Sequence, residues 1–438
     1  MNCRTLVPIV HLQYNVEVRP IDEKGETQMK NYNNELEKYA ALAVNVGINV
    51  QPMEGLIITA NESGLPLARE IMKKAYAAGA KHVEFMLNDD SMALARYSNA
   101  KDYVFENYPQ WKVELLVKLY EDNYHHLYII APDPELLKNV PGDVVAIDQK
   151  SASTALSPAT KYRMTGQTKW CIVAVPSEAW AKSVYPEMSE ENAIEALWDK
   201  IFDATRVNTA DPVEAWKQHD INLKKYKNYL NEKQFEKLVF KAPGTELEIC
   251  LADGHYWMGG SKNSHAGDAF VANIPTEEVF TTPHRYKVNG TVRSTKPLSH
   301  NGKIVDDFGF TFKDGRVVDY YAGKGKEVLD SMLANDEGAK YLGEVALVQN
   351  DSPISNTGIL FNNTLFDENA SIHLALGRAY AYAMQNGSNA TQEELEERGA
   401  NSSLIHVDFM IGGPEMEVTA FEKDGSAVQL FNKGNWTF

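Results

Sequence analysis

The sequence predicts an α/β N-terminal domain with a mainly parallel sheet, followed by an α+β C-terminal domain rich in antiparallel hairpins. Three observations lead there. Up to about residue 205, short apolar runs alternate with helical stretches, the pattern of an α/β layer fold. In the second half, Asn289-Gly290, Asp314-Gly315, Asp424-Gly425 and Lys433-Gly434 sit between β-rich runs, and the first three carry the strongest short-range hairpin signal. A chain of 438 residues is also too long for one ordinary core. The expected division is 29–241 for the α/β domain and 242–438 for the α+β domain, with the boundary near Ala242-Pro243-Gly244.

Residues 1–28 show no clear periodicity, and Pro20 to Thr27 reads as a polar linker, so this stretch is expected to be a leader or an extension upstream of Met29. An amphipathic helix follows over Asn34 to Val44. Leu56 to Ala60 reads as a strand, and Leu65 to Ala78 as a helix with Pro66 in its first turn and Gly79 closing it. Further strands are expected at His82 to Leu87, His126 to Ala131, Val144 to Ile147 and Trp170 to Val175, and helices between most of them imply parallel pairing. From 176 to 240 the chain reads as helical, with Trp180, Trp198 and Trp216 as packing anchors. Thr391-Gln392-Glu393-Glu394 has capping-box spacing and marks a solvated helix start.

Composition narrows the function. A formal charge of -17 argues against nucleic acid or an anionic membrane as partner. Cys3, Cys171 and Cys250 form no CxxC or zinc-finger spacing, so neither a disulfide framework nor a thiolate metal site is expected. No apolar run approaches the roughly 18 residues needed to cross a bilayer, and Leu6 to Leu12 lacks a small-residue cleavage site. A cytoplasmic protein is the expectation. No G-x-G-x-x-G follows a strand and no G-x-x-x-x-G-K-[ST] occurs, which leaves dinucleotide and P-loop chemistry unsupported.

The chemistry gathers between Gly343 and Asp408. In Leu404 to Ile411, period-two alternation puts His406 and Asp408 on one strand face, with Ile405, Val407, Phe409 and Ile411 on the other. In Phe366 to Tyr380, a helix capped by Asn369 would carry His373 and Tyr380 two turns apart, with Ala370 and Gly377 leaving that face open. Glu344 interrupts the apolar strand Leu342 to Val348, where an ionised carboxylate needs a cation or hydrogen bonds. Each residue alone has a structural explanation: a hydrogen-bonded core histidine, a salt bridge on a strand, an edge-strand carboxylate. Three buried-looking segments that each supply His, Asp or Glu together have the composition of a mixed nitrogen and oxygen site for zinc, cobalt or manganese. Upstream, Glu277 and Glu278 lie between Pro275 and Pro283, and either is a candidate for another ligand or for a base that handles protons.

These residues resemble a known family, the leucyl-type metallo-aminopeptidases of the aminopeptidase T and aminopeptidase S group. The resemblance is carried by Ile274 to Pro283, Val288 to Pro297, Tyr341 to Val348, Asn363 to Ser371 and His406 to Gly412, within a match running from about Met29 to the C-terminus. It implies a dinuclear metal site with Glu278, Glu344, Glu368, His373, His406 and Asp408 as ligands. Tyr380 is implied as ligand or hydrogen-bond donor, and Glu278 is favoured over Glu277 by the family spacing. Ile372 departs from the Cys found there in many members, an apolar exchange that leaves the ligands intact. The implied activity is release of N-terminal amino acids from short peptides by a homodimer, with Glu278 and Tyr380 assisting catalysis. Two alternatives share the ligand set: a dinuclear phosphoesterase, which cleaves a phosphate ester instead of an aminoacyl amide, and a binding protein without turnover.

Overall fold

The computed structural model describes residues 23–300 and 303–438, with side chains from Tyr32 onward. Of the expected leader over residues 1–28, residues 1–22 lie outside the described residues. Residues 23–27, expected as part of a linker, open the helix Glu23–Leu42.

Four strands form an entirely parallel sheet: β1 (Gly55–Ala60), β2 (His82–Leu87), β3 (Tyr124–Ile130) and β4 (Trp170–Ala174), in the order β2-β1-β3-β4. Helices cover both faces of β1, so its run Leu56-Ile57-Ile58 is fully buried and unbroken by polar residues. Trp180 and Trp216 are buried in the adjoining core, and Trp198 packs at its edge, stacked on Phe202.

Val144 to Ile147 is not a strand. It lies inside the helix Gly142–Ala155, none of whose residues is buried. A four-residue apolar run satisfies either period, and here no strand pairs with it.

Among the described residues the second half builds two large antiparallel sheets and a small two-stranded one. Strands β5 (Lys237–Ala242) and β6 (Thr245–Leu251) pair across Pro243-Gly244, so the segment expected as a boundary is a hairpin turn. Three short pieces follow: β7 (Met258–Gly259), β8 (Lys262–Asn263) and β9 (Ala269–Phe270). Next come β10 (Val279–Thr281), β11 (Pro283–Arg293), β12 (Leu298–His300), β13 (Lys303–Lys313) and β14 (Arg316–Lys324). The last are β15 (Leu342–Leu347), β16 (His373–Gly377), β17 (His406–Met410), β18 (Glu417–Phe421), β19 (Ala427–Asn432) and β20 (Asn435–Trp436). The five-stranded sheet runs β17-β16-β15-β10-β7; the larger sheet contains β12-β13-β11-β6-β5-β18-β19-β20, with β14 on β13. Leu247, Ile249, Phe308 and Phe310 of the larger sheet share one core with Val345, Leu374 and Phe409 of the smaller.

Asp314-Gly315, Asp424-Gly425 and Lys433-Gly434 are hairpin turns as expected, and Asp314 and Gly315 both take positive φ (49° and 80°). Asn289-Gly290 is not. Gly290 lies inside β11, where an added Cβ would stand 2.1 Å from the Glu246 carbonyl oxygen, so the glycine answers close strand approach instead of a turn.

The two halves are not independent. Val271, Ile274, Phe361 and Phe366 enter the N-terminal core, and Trp180 donates its indole N–H to the Phe361 carbonyl.

Candidate metal centre

Antiparallel register brings the candidate ligands onto one face of the five-stranded sheet. Glu344 of β15, Ala375 of β16 and Asp408 of β17 lie in one row across three strands; His373 pairs with Ala346, and His406 with Gly377. Because directly opposed residues share a face and alternate residues repeat it, Glu344, His373, His406 and Asp408 project together. Ala375, between Glu344 and Asp408, is small enough to leave space above it. Glu278, two residues before Phe280 of β10, extends the same face, since Phe280 opposes Ala346. The alternate residues Val345, Leu374, Leu376, Val407 and Phe409 point into the core shared with the larger sheet.

His373 therefore reaches the site from a strand, not from the expected helix. Asn369 lies in a single tight turn, Glu368–Ala370; its Oδ1 accepts from the Glu277 amide at 2.8 Å and its Nδ2 donates to the Leu365 carbonyl. Pairing on both sides with β15 and β17 overrides the helical preference of the Leu and Ala residues after it. Tyr380 comes from the loop beyond β16, and its ring lies 4.6 Å from that of His406.

Two groups of donors result. Glu278, Glu344 and His373 form one, and Glu344, His406 and Asp408 the other, with the donor atoms of each group within 4.8 Å of one another. Glu344 belongs to both: its Oε1 lies 3.7 Å from His373 Nε2 and its Oε2 lies 3.9 Å from His406 Nε2. Glu278 Oε2 stands 3.2 Å from His373 Nε2, and Asp408 Oδ1 3.4 Å from His406 Nε2. Both imidazoles are held from behind, His373 Nδ1 on the Ser371 carbonyl at 3.0 Å and His406 Nδ1 on the Arg378 carbonyl at 2.7 Å. That arrangement leaves each Nε2 for an ion, as in known imidazole sites.

The electrostatics fit a cation. Burial, then the charges of Glu278 and Asp408, push Glu344 up to about 7 despite a hydrogen bond from His373. Burial and the same kind of crowding carry Glu368 well above the carboxylate range. His406 would be lowered by burial, but the hydrogen bond and charge of Asp408 outweigh it and raise it to about 9; Glu278 and Glu344 likewise raise His373. Burial would raise Asp408, but the hydrogen bond and charge of His406 and the charge of His373 together outweigh it and lower its pKa. Asp408 Oδ1 is buried, and its contact with His406 Nε2, at 3.4 Å, is long and poorly aligned, which leaves the oxygen short of a full hydrogen bond. Four carboxylates around two imidazoles leave negative charge that a divalent ion would offset, and the donors are the hard and borderline kind that zinc, cobalt and manganese take.

Glu278, Glu344, Glu368, Tyr380, His406 and Asp408 all line one cavity of about 160 Å³. Thus the structure brings all seven candidate residues to one place, Glu368 as a cavity wall outside both donor groups. Glu277 is elsewhere: its carboxylate accepts from the Arg206 guanidinium at 2.6 and 3.0 Å. Trp170, Lys262 and Tyr382 also line the cavity and carried no sequence signal. Lys262 follows the short stretch Gly259-Gly260-Ser261, which has no apolar periodicity, and Trp170 belongs to the other half of the chain.

Comparison with known proteins follows the same lines. A family model described as thermophilic metalloprotease (M29) matches residues 32–436. Aminopeptidase 2 of Geobacillus stearothermophilus is 45% identical over 410 residues, 94% of this chain and 99% of that protein. Aminopeptidase AmpS of Bacillus subtilis (strain 168) is 43% identical over 410 residues, 94% of this chain and 100% of its own. The solved structure of wild-type AmpT from Thermus thermophilus superimposes with a TM-score of 0.87 at 38% identity, covering 93% of this chain and all (100%) of that one.

Proposed function

The chain belongs to the thermophilic metalloprotease (M29) family and is a metallo-aminopeptidase, and from that premise we propose that it removes N-terminal residues from short peptides using two divalent ions. The observation that carries this reading is Glu344, whose two oxygens face two separate histidine-and-carboxylate groups. Glu278, Glu344 and His373 would hold one ion, and Glu344, His406 and Asp408 the other, with Glu368 completing the shell. Zinc, cobalt or manganese bound there supplies Lewis-acid activation, lowering the pKa of a water from about 15.7 towards roughly 7.

The remaining chemistry belongs to side chains. Glu278, at the cavity edge, takes the proton of the attacking water and delivers it to the leaving amine. Burial raises the pKa of Tyr380, so its phenol stays protonated and donates a hydrogen bond at the reacting carbonyl.

The resemblance supports a homodimer that admits only short peptides, and the reduced-cysteine composition supports a cytoplasmic setting. Among the described residues no helix is long and apolar enough to cross a membrane.

The test is hydrolysis of leucine p-nitroanilide by metal-stripped protein and after addition of zinc, cobalt or manganese. Activity that depends on added metal supports the reading. Full turnover without metal overturns it.

A further inference from the structure

We propose that Lys262 is a catalytic residue of this site: its ammonium donates a hydrogen bond to the oxygen of the scissile carbonyl and stabilises the charge that gathers there. The proposal rests on the aminopeptidase reading and adds a second donor to Tyr380.

Lys262 opens β8, which pairs with β9 to form a short arm between the N-terminal layer and the catalytic sheet. Its Nζ lies 4.6 Å from the centroid of the Tyr382 ring and 5.8 Å from that of Trp170. Tyr382 in turn stacks on Tyr380, with centroids 5.1 Å apart and planes 15° from parallel. Lys262 lines the same cavity as Glu278 and Glu344, yet among the described residues no carboxylate oxygen lies within 4.0 Å of its Nζ and no hydrogen bond holds it.

That is an unusual state for a half-buried ammonium on a cavity wall. The buried Lys169 shows the ordinary solution, with Nζ 2.7 Å from a Glu54 oxygen and 2.9 Å from the Asn49 carbonyl. In Lys262 the charge rests on aromatic faces, which attract a cation without consuming its N–H donors. Three donors therefore remain for a group that enters the cavity. Burial lowers its pKa while the charges of Glu278 and Glu344 oppose the shift, so these carboxylates are electrostatic neighbours without being ion-pair partners. A peptide carbonyl presented to the donor groups would enter that gap with its oxygen towards the ammonium.

The step balances without any oxidant or further reactant. The water oxygen bonds to the carbonyl carbon, and the C=O π pair moves onto oxygen, where Lys262 donates. The pair then returns, the C–N bond breaks with its electrons on nitrogen, and that nitrogen takes the proton carried by Glu278. Lys262 keeps its own protons throughout.

The test compares wild type with Lys262→Met, which keeps an apolar stem, and Lys262→Arg, which keeps the charge. Leu-Gly and leucine p-nitroanilide serve as substrates, and binding of L-leucine phosphonic acid, a tetrahedral anion, is measured separately along with metal content and melting temperature. Losing one preorganised donor should lower kcat by about 10²–10³-fold on both substrates while KM changes little. Phosphonic acid binding should weaken, metal content should hold, and the Arg variant should recover part of kcat. The proposal is overturned by kcat within a few-fold of wild type, by metal loss in Lys262→Met, or by a defect confined to KM for Leu-Gly, which would make Lys262 an anchor for the substrate carboxylate. Metal-loaded wild type that cleaves neither substrate would instead overturn the aminopeptidase reading beneath it.

Discussion

Glu277 and Glu278 are neighbours in the chain, and their carboxylates serve different parts of the molecule. Glu277 binds Arg206 at 2.6 Å, with His219 Nε2 3.5 Å away; Glu278 Oε2 lies 3.2 Å from His373 Nε2. Arg206 and His219 flank Trp216, so Glu277 ties the segment before β10 to the helical region while Glu278 faces the cavity.

The two positions should therefore fail in different ways. Glu277→Gln leaves the Arg206 charge without its partner and should cost about 3–5 kcal/mol of stability, with bound metal retained. Glu278→Gln should keep the melting temperature of the apo protein and lose most of kcat. Denaturant titration alongside metal analysis and peptide hydrolysis separates them, and equal stability losses in both variants would contradict the division of labour.

Glu344→Ala removes the one carboxylate common to both donor groups. Metal content should fall towards zero and turnover with it. Bound metal stabilises only the folded state, by about 2.7 kcal/mol at a hundredfold excess over Kd. Added zinc should thus raise the melting temperature of wild type and leave the variant unmoved, which scanning fluorimetry reads directly.

Gly343 occupies the register shift between Leu342 and Glu344 in the β15-β16 pairing. A Cβ there would stand 2.4 Å from the Gly377 carbonyl oxygen and 2.5 Å from backbone atoms of Arg378, neither of which can step aside. Gly343→Ala should displace Glu344 and weaken metal binding by about 10–100-fold, the range seen when a ligand's support is lost. Competition titration with a chromogenic chelator measures the change; unaltered affinity would show that the strand absorbs the methyl group.

Glu54 connects Lys169 and His125 beneath the parallel sheet, with contacts of 2.7 and 2.9 Å. Burial alone would raise its pKa, but hydrogen bonds from His125 and Lys169 win and hold it at about 2. The unfolded value is roughly 4.3, so the folded state binds the proton more weakly and is favoured above that pH. This stabilisation, on the order of 3 kcal/mol, is complete near neutrality and is lost as pH falls from about 4.3 through about 2. Melting curves of wild type and Glu54→Gln should differ most at neutral pH and converge on acidification. A gap that widens towards low pH would refute the assignment.

Several features were legible because local chemistry decides them. Alternation placed His406 and Asp408 on one strand face, and that is where they lie. Asp314-Gly315 tolerates the positive φ a tight hairpin needs, and the parallel strands announced themselves as apolar runs between helices. Glu344 stood out as a charge that an apolar strand does not keep without a partner.

Other features depend on partners distant in the chain. Val144 to Ile147 has strand-like composition but no strand beside it, and Gly290 signals a turn yet serves close packing against β6. His373 became a strand residue because β15 and β17 hydrogen-bond to both sides of its segment, which no helical pattern within Ile372 to Tyr380 could reveal. By itself, then, the sequence determined which side chains were fit to bind a cation and which face of a strand they take. Only the tertiary structure decided that Glu278 and not Glu277 faces the cavity, and that Lys262 lines it without an ion-pair partner among the described residues. Side-chain periodicity is a property of neighbouring residues, whereas direction and enclosure depend on segments brought together from far along the chain.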